Sequence, residues 1–555
     1  MNEDEVHEPV SELETVLAPK LDPRWALSGR QFVVVALVTA LFVLLNYIPL
    51  AGHEVWGDVA LGGWILDHHE LPAADPFLIL AEGMPFTAPN WLVQTSLALV
   101  MRRAGAEFIS LFISITVLAT GLLLWRITYR RTASTWQSLL ITTAVLVLNH
   151  SQFLSLRVES LGLCAFTSLW WLLETHRQCP PPAKSWKFWA AVPLLLAIWA
   201  NADLSFVCGL ALLLSVAVGA ALTWLLSRPA PAANDSISPS RACGLFQLGW
   251  LAVTLNPYGM QLIWVAIRTL RNPNVHDLVS RHPFSFGSGA SYEVVLAWAL
   301  GLTALRRSQR PLAWGEILAL TGFGLLTLKS MYWVGYFFVT WGIVLAPQLG
   351  ELLAACQSLY RASNKLVAES AAPTSSTPSF RFSYLALLLV WCGFAFTPTG
   401  HRLLGGQPRS AVQEFGKEAP LNVLKYLREH PPQGQVFQPH DWGDWMAGQG
   451  LTTDCQLFAT GRVEHLPRRV WEDYLLISRG QSGWQNALGR YTADTAIVSL
   501  ARMPELNRVL RREAGWKLVY EDEIGAIFTR RLNTTPKASA KSAPAGPATP
   551  TAGAS

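Results

Sequence analysis

Long apolar runs, each closed by a short charged cluster, fill the chain as far as residue 397. Runs that could cross a bilayer fall near 32–50, 107–125, 136–153, 158–174, 188–202, 204–226, 243–257, 292–305, 312–328, 330–347 and 382–397. That makes about eleven spans, against the roughly 20 apolar residues that one helix needs to cross. Several runs are shorter than that, which predicts helices packed on one another in a thick bundle rather than each facing lipid. Trp91–Val100 is also apolar, but it is short and followed by Arg102-Arg103; it reads as an interfacial helix within a loop.

From about Pro398 the pattern changes. A helical stripe runs through Ala419–Glu429, with Leu421, Leu424, Tyr426 and Leu427 on one face. Strands are predicted at Gln435–Gln438, Gln456–Ala459 and Thr495–Leu500, and helices at Arg468–Ile477, Trp484–Tyr491 and Pro504–Ala514. A hairpin-like pair closes the series at Lys517–Glu521 and Ala526–Arg530. This alternation predicts a small α/β domain, and roughly 130 residues can bury a core of their own. Asp441-Trp442-Gly443-Asp444 is one residue too long for an Asp-x-Asp metal pair, and no Gly-rich loop precedes it; it reads as a turn. Pro229–Ser240 and Ala371–Ser379 have linker composition, and the chain after about Asn533 that of a disordered tail.

The expected fold is therefore mostly α, a polytopic transmembrane helical bundle with a small C-terminal extracytoplasmic α/β domain. Its parts are a leader (1–30), a membrane domain (31–397) whose first outer loop is 51–106, the α/β domain (398–531) and the tail (532–555).

Composition agrees with a membrane protein: 51% of residues are hydrophobic and 15% charged, where a soluble domain carries about 25% charged. The 24 Trp residues suit interfacial belts and cavity walls. A net charge of +5 without a basic stripe argues against nucleic acid. The seven Cys lack metal-ligand spacing, and only Cys455 lies after residue 398, so no disulfide closes within that region. The leader is acidic (Glu3, Asp4, Glu5, Glu8), which is wrong for a cleaved signal peptide and makes the first run an uncleaved span.

Orientation follows from Lys and Arg, which favour the inner side. With Lys20, Arg24 and Arg30 inside, the clusters Arg126/Arg130/Arg131, Arg177/Lys184/Lys187, Arg228/Arg241, Arg306/Arg307/Arg310 and Arg361/Lys365/Arg381 all fall inside too. Counting Trp91–Val100 as a span would put Arg126–Arg131 outside. The N-terminus is then cytoplasmic and the C-terminus extracytoplasmic.

The outer side collects the chemistry. The first loop carries His53-Glu54, Trp56, Asp58, Trp64, Asp67-His68-His69-Glu70 and Asp75. Outer helix ends add Asn149-His150, Arg157-Val158-Glu159, Asn201-Ala202-Asp203, Asn256-Pro257-Tyr258 and Lys329-Ser330. Ionisable groups at membrane depth usually face water, so together these describe a polar chamber open outward. Singly, each is equally explained as a cap or a snorkelling side chain.

The chain resembles bacterial membrane proteins related to the GT-C glycosyltransferases, the kind that depend on polyprenyl-phosphate sugars. It is most similar to an uncharacterised branch with a C-terminal α/β domain. Glu54, Trp56, Asp58, Gly62, Trp64, Leu71-Pro72, Asp75-Pro76-Phe77 and Trp91-Leu92-Val93-Gln94 hold the places of that branch's first-loop motifs. Arg157, Trp199-Ala200-Asn201, Asn256-Pro257-Tyr258-Gly259 and Lys329 resemble its helix-end motifs; Asp441-Trp442-Gly443, Phe458 to Arg462 and Trp516 through Asp522 resemble its later ones. The similarity covers roughly residues 30–531. The chain departs from the pattern at Glu54, where Asp is usual, at Asp58 and Asp203, where His is usual, and at Lys329, where Arg is common.

The resemblance implies transfer of a sugar from a polyprenyl-phosphate donor to a lipid, glycan or protein acceptor, on the outer face of a bacterial inner membrane. Such chemistry wants a carboxylate to take the acceptor's proton and cations on the leaving phosphate. Glu54 is the first candidate base and Asp58 the second; four residues apart, they share a helix face. Arg157 and Lys329 are the candidate phosphate clamps. His53, Trp56, Trp64, Asn201, Asp203, Asn256 and Tyr258 are expected around the pocket, and an apolar groove would hold the prenyl chain. The resemblance leaves room for a divalent metal and implies no other cofactor. A non-catalytic scaffold or carrier in cell-envelope glycan assembly is the alternative from another class. A transporter is disfavoured, for the sequence shows no inverted repeat.

Reporter fusions test the orientation: Gly83 and Gly480 should report an extracytoplasmic position and Ser134 a cytoplasmic one. A cytoplasmic signal at Gly480 would overturn it.

Overall fold

The computed structural model describes residues 22, 25–153, 158–178, 186–226, 237–278, 284–286, 289–363, 378–432, 434–451 and 455–531. Arg157, the tail and most of the two linkers lie outside the described residues.

Every apolar run of the sequence winds into a helix, the arrangement that satisfies backbone N–H and C=O groups without water. The longer helices are α1 (Gly29–Tyr47), α2 (His53–His68), α3 (Trp91–Ala104), α4 (Ala106–Thr132), α5 (Thr135–Leu148), α6 (Ser160–Gln178), α7 (Trp186–Ala202) and α8 (Phe206–Leu226). They continue with α9 (Pro239–Ala252), α10 (Gln261–Arg271), α11 (Gly289–Arg307), α12 (Trp314–Lys329), α13 (Val334–Val344), α14 (Ala346–Ser363) and α15 (Phe380–Phe396). Among the described residues α1, α4 and α8 are long and apolar enough to cross a membrane alone. A bent pair raises that to four. The remaining helices are short or interrupted by polar groups.

The bent pair extends one expectation. The run 330–347 ends at the break, where α13 and α14 meet at Leu345 with a bend of 65°, and α14 beyond it was not foreseen. Every residue of α13 is buried, as fits a helix apolar all round at the centre of a bundle. Helix α10 was not foreseen; it is too short and too basic, with Arg268 and Arg271, to register as an apolar run.

Charge also holds the bundle. Arg131 of α4 is buried, with Nη2 2.7 Å from Glu174 Oε2 of α6 and Nη1 2.9 Å from Glu316 Oε1 of α12. Arg177 of α6 reaches the same Glu316 oxygen at 2.7 Å. Buried charges persist only when paired, and these pairs fasten three helices at one level.

The segment 51–106 is built mainly of helices α2 and α3 rather than a loose loop. Helices α2 and α3 pack so closely that a Cβ built on Gly62 would lie 1.9 Å from the carbonyl oxygen of Gln94. Arg102 of α3 bonds Asp67 of α2 with Nη2 2.6 Å from Oδ2.

After α15 the chain forms α16 (Leu421–Glu429), β1 (Gly434–Phe437), α17 (His440–Gly448), β2 (Cys455–Leu457), α18 (Arg468–Ser478), β3 (Thr495–Ser499), α19 (Pro504–Arg512), β4 (Trp516–Glu521) and β5 (Gly525–Arg530). The sheet order is β2-β1-β3-β5-β4. Strand β1 is parallel to β2 and β3, with Val436 opposite Leu457 and Thr495. Strand β5 is antiparallel to β3 and β4. All five residues of β3 are buried, as befits a strand covered on both faces. The segment Asp441–Asp444, expected as a turn, is the first part of α17. Trp442, Trp445 and Met446 form its apolar stripe and are buried, which outweighs the helix-weakening Gly443.

This region does not close on itself. One hydrophobic core runs from Leu50, Val55, Trp56 and Ile109 through Trp445 and Met446 to Val436 and Phe528. Trp56 stacks on Trp445 at 4.7 Å between ring centroids, and Phe415 meets both rings edge-on. The expectation of a separately closed core is revised accordingly: α2 supplies part of it.

Gly62→Ala should force α2 and α3 apart. It is expected to lower stability by about 1–3 kcal/mol, as overpacking does, read as an earlier melt of the purified protein in detergent. An unchanged melt would contradict the close crossing.

Candidate functional site

Where α2, α3 and the C-terminal region meet, they enclose a cavity of about 170 Å³. Helix α2 presents Glu54, Gly57, Asp58 and Leu61 to it, a spacing that puts all four on one face. Asn90 and Gln94 of α3 form a second wall, joined by Glu159, just before α6, and Asp203, just after α7. The C-terminal region contributes Asp444, Gly461, Arg462, Glu464 and His465. Gly57 keeps the seam tight: a Cβ there would sit 2.7 Å from Asp444 Oδ1.

Asp58 Oδ1 accepts a hydrogen bond from Gln94 Nε2 at 2.9 Å. Burial pushes its carboxyl up to about 7, an effect only partly offset by Gln94 and Arg462. Asp444 accepts from the backbone N–H of Gly461, and its Oδ2 lies 2.8 Å from His53 Nδ1. Burial raises its pKa too, against the opposing pull of His53 and Arg462. Behind His53 lies His440, lowered to about 3 by burial and by the charges of His53 and Arg502, so it is neutral.

Arg462 sits amid these acids. Its Nη1 donates to the Gly57 carbonyl at 3.2 Å, and its Nε reaches Asp75 Oδ2 at 3.5 Å. Its Nη2 is buried with no hydrogen-bond partner. Burial disfavours the charged form, but Asp75, Asp444, Asp58 and Glu464 outweigh it and hold the guanidinium charged.

Of the residues named from sequence, Glu54, Asp58 and Asp203 line the cavity, as does Glu159 of the polar helix ends. His53 stands beside it, bonded to Asp444. The others serve elsewhere. Trp56 points into the shared core, and Trp64 stacks on His68 at 4.1 Å. Asn201 braces α7 to α3, its Oδ1 accepting from Trp91 Nε1 at 2.8 Å. Asn256 closes its own turn by accepting from Tyr258 N at 2.7 Å, and Tyr258 Oη accepts from Ala88 N at 2.8 Å. Lys329 is exposed at the end of α12 and does not line the cavity; Arg157 lies outside the described residues. Sequence reading gave no role to Asn90, Gln94, Asp444, Arg462, Glu464 or His465. For Gln94 and Arg462 a signal existed, since both fall within segments that carry the resemblance.

The cavity does not fit a divalent metal. Among the described residues no group of three or more His, Cys, Asp or Glu side chains could hold one. Here Asp58 is tied to Gln94, Asp444 to His53 and Gly461, and Arg462 supplies the positive charge.

No family model and no curated protein matches the chain. Solved structures do. The oligosaccharyltransferase of Archaeoglobus fulgidus in its apo form is similar at a TM-score of 0.53 and 10% identity, over 91% of this chain and 75% of that one. The archaeal oligosaccharyltransferase AglB from the same organism, in complex with an inhibitory peptide and a dolichol-phosphate, gives 0.52 and 10% over 89% and 73%. ArnT from Cupriavidus metallidurans bound to undecaprenyl phosphate gives 0.49 and 12% over 90% and 97%. At these identities the likeness to the oligosaccharyltransferase is one of fold.

Because Arg462 lowers the pKa of Asp58 and of Asp444, Arg462→Ala should raise both. Isotope-edited infrared spectroscopy would then find the protonated aspartate band persisting to higher pH than in the parent. An unshifted band would remove Arg462 from the cavity's electrostatics.

Proposed function

We propose that this chain, which has the GT-C fold, is an integral membrane glycosyltransferase. It takes a sugar from a polyprenyl-phosphate donor and passes it to a lipid, glycan or protein acceptor on the outer face of a bacterial inner membrane. In this reading the chain is multi-pass with about eleven spans, the N-terminus is cytoplasmic, and residues 398–531 form an extracytoplasmic α/β domain. The AglB structure in complex with a dolichol-phosphate supports a lipid-phosphate donor.

One observation carries the reading. Asp58 and Arg462, from distant parts of the chain, line one cavity in this fold. One is a proton acceptor that titrates near neutrality, and the other is a cation with an unused N–H. The acceptor's hydroxyl oxygen attacks the anomeric carbon of the sugar. The bond from that carbon to the phosphate oxygen breaks, and its electron pair leaves with the polyprenyl phosphate. The hydroxyl proton passes to Asp58, whose pKa suits a general base at neutral pH. Arg462 Nη2 donates to the leaving phosphate as charge builds there. Asp58 thus replaces Glu54 as the first choice of base, with Glu54 one turn away on the same wall. Arg462 takes the part assigned from sequence to Lys329, and Arg157 stays a second phosphate contact.

Asp58→Asn keeps the shape and removes the base. It should lower turnover by about 10²–10⁴-fold, measured as loss of a specific glycan in a complemented deletion strain with membrane protein level checked. In vitro, parental turnover should rise as pH passes through about 7, where Asp58 loses its proton, and level off above it. Full restoration of the glycan by Asp58→Asn at normal level would overturn this reading and favour a non-catalytic scaffold.

A further inference from the structure

The wall of the cavity formed by α3 holds acceptor atoms that nothing in the protein uses. Gln94 is 4% exposed. Its Nε2 is spent on Asp58, while its Oε1 is buried without a donor. Four residues earlier Asn90 shows the same deficit at Oδ1. Asn90 occupies the N-cap of α3, where its type usually bonds the first turn, yet its side chain makes no capping bond. Both residues line the cavity one helical turn apart, on the helix that abuts Asp58. Buried acceptors without donors are rare and costly, and two on one wall call for donors from a ligand.

We propose that Asn90 and Gln94 recognise the hydroxyl groups of the transferred sugar, and that this sugar carries no anionic group. The inference rests on the glycosyltransferase reading and specifies its donor. A hydroxyl can donate to each amide oxygen and still accept from Arg462 or from a second hydroxyl. A carboxylate or a phosphate on the sugar ring is acceptor-only at neutral pH. It would meet the two amide oxygens and the carboxylates of Glu54, Asp203 and Glu464 on the same cavity. The single guanidinium among the described lining residues is engaged by Asp75 and is the contact assigned to the leaving phosphate. A hydrogen-bonding site rejects a ligand that leaves its polar groups unpaired more strongly than an apolar site rejects a misfit. The amide torsions of Asn and Gln are broad, so small rotations suffice to turn either oxygen to the ligand.

The test uses the full chain in nanodiscs with three probes: polyprenyl phosphate carrying a neutral hexose, the same lipid carrying the corresponding hexuronate, and the sugar-free lipid. The hexose lipid should bind at least about tenfold more tightly than the hexuronate lipid. Asn90→Ala removes no bond within the protein and should fold normally. It should weaken hexose-lipid binding by about three- to tenfold, the worth of one hydrogen bond, and leave sugar-free lipid binding unchanged. Gln94→Leu should do the same and in addition raise the pKa of Asp58, because it removes a bond that lowers it. Equal binding of hexose and hexuronate lipids, or an Asn90→Ala protein indistinguishable from the parent, would overturn this inference and leave the glycosyltransferase reading standing. Equal weakening of the sugar-bearing and sugar-free lipids would mark a structural role and overturn it as well. Failure of the parent to bind any of the three would overturn both.

Discussion

The stack of Trp56 on Trp445 is the joint on which the cavity depends. It belongs to a single core that takes in residues of α2 and α4 and the sheet near the end of the chain. Aromatic stacking and apolar burial supply the adhesion, and the polar groups above the stack are thereby held in register. Glu54 and Asp58 flank Trp56 at two residues on either side along α2, and Asp444 precedes Trp445. The residues that make the joint and those that line the cavity therefore alternate along the same two helices. Helical geometry sends one set into the core and the other into the cavity.

Among the described lining residues, carboxylates outnumber the one guanidinium, that of Arg462. Burial changes the balance. Asp58, held near neutrality, carries only part of a charge at pH 7, and the raised pKa of Asp444 acts in the same direction. Arg462 feels the remaining acids strongly enough to stay charged. The field in the cavity is thus less negative than a residue count implies, and it depends on the protonation of one aspartate. Desolvation thus keeps Asp58 partly protonated and reduces the negative charge that lines the cavity.

Much of the fold was legible because lipid and water impose simple patterns. The apolar runs became helices, and the predicted strands and helices after Pro398 fall within a few residues of those observed. Three features were not legible. The Asp441–Asp444 segment looked like a turn because Gly443 and two acids masked the stripe of Trp442, Trp445 and Met446. Helix α14 was missed because Gln348, Glu351 and Gln357 interrupt its apolar residues. Helix α10 is shorter than any span-length window. In the site, local spacing placed Glu54 and Asp58 on one face, and charge grouping brought in Asp203. It failed for Lys329, which is exposed at the end of α12 and does not line the cavity. Arg462 was missed because its importance arises from contacts with Gly57 and Asp75, and no pattern within its own segment encodes them.

The hydrogen bond from Arg462 to the Gly57 carbonyl joins residues 405 positions apart. A ribosome feeding this chain into a membrane delivers Asp58 early and Arg462 only after the last apolar helix has been threaded. Until then Asp58 has no guanidinium beside it and no roof of α17 to exclude water. The cavity is then without the wall that Asp444, Gly461 and Arg462 complete. The cavity is thus completed last: a truncated product could keep the apolar helices and α2, but not the Arg462 that ties α2 to the far end of the chain.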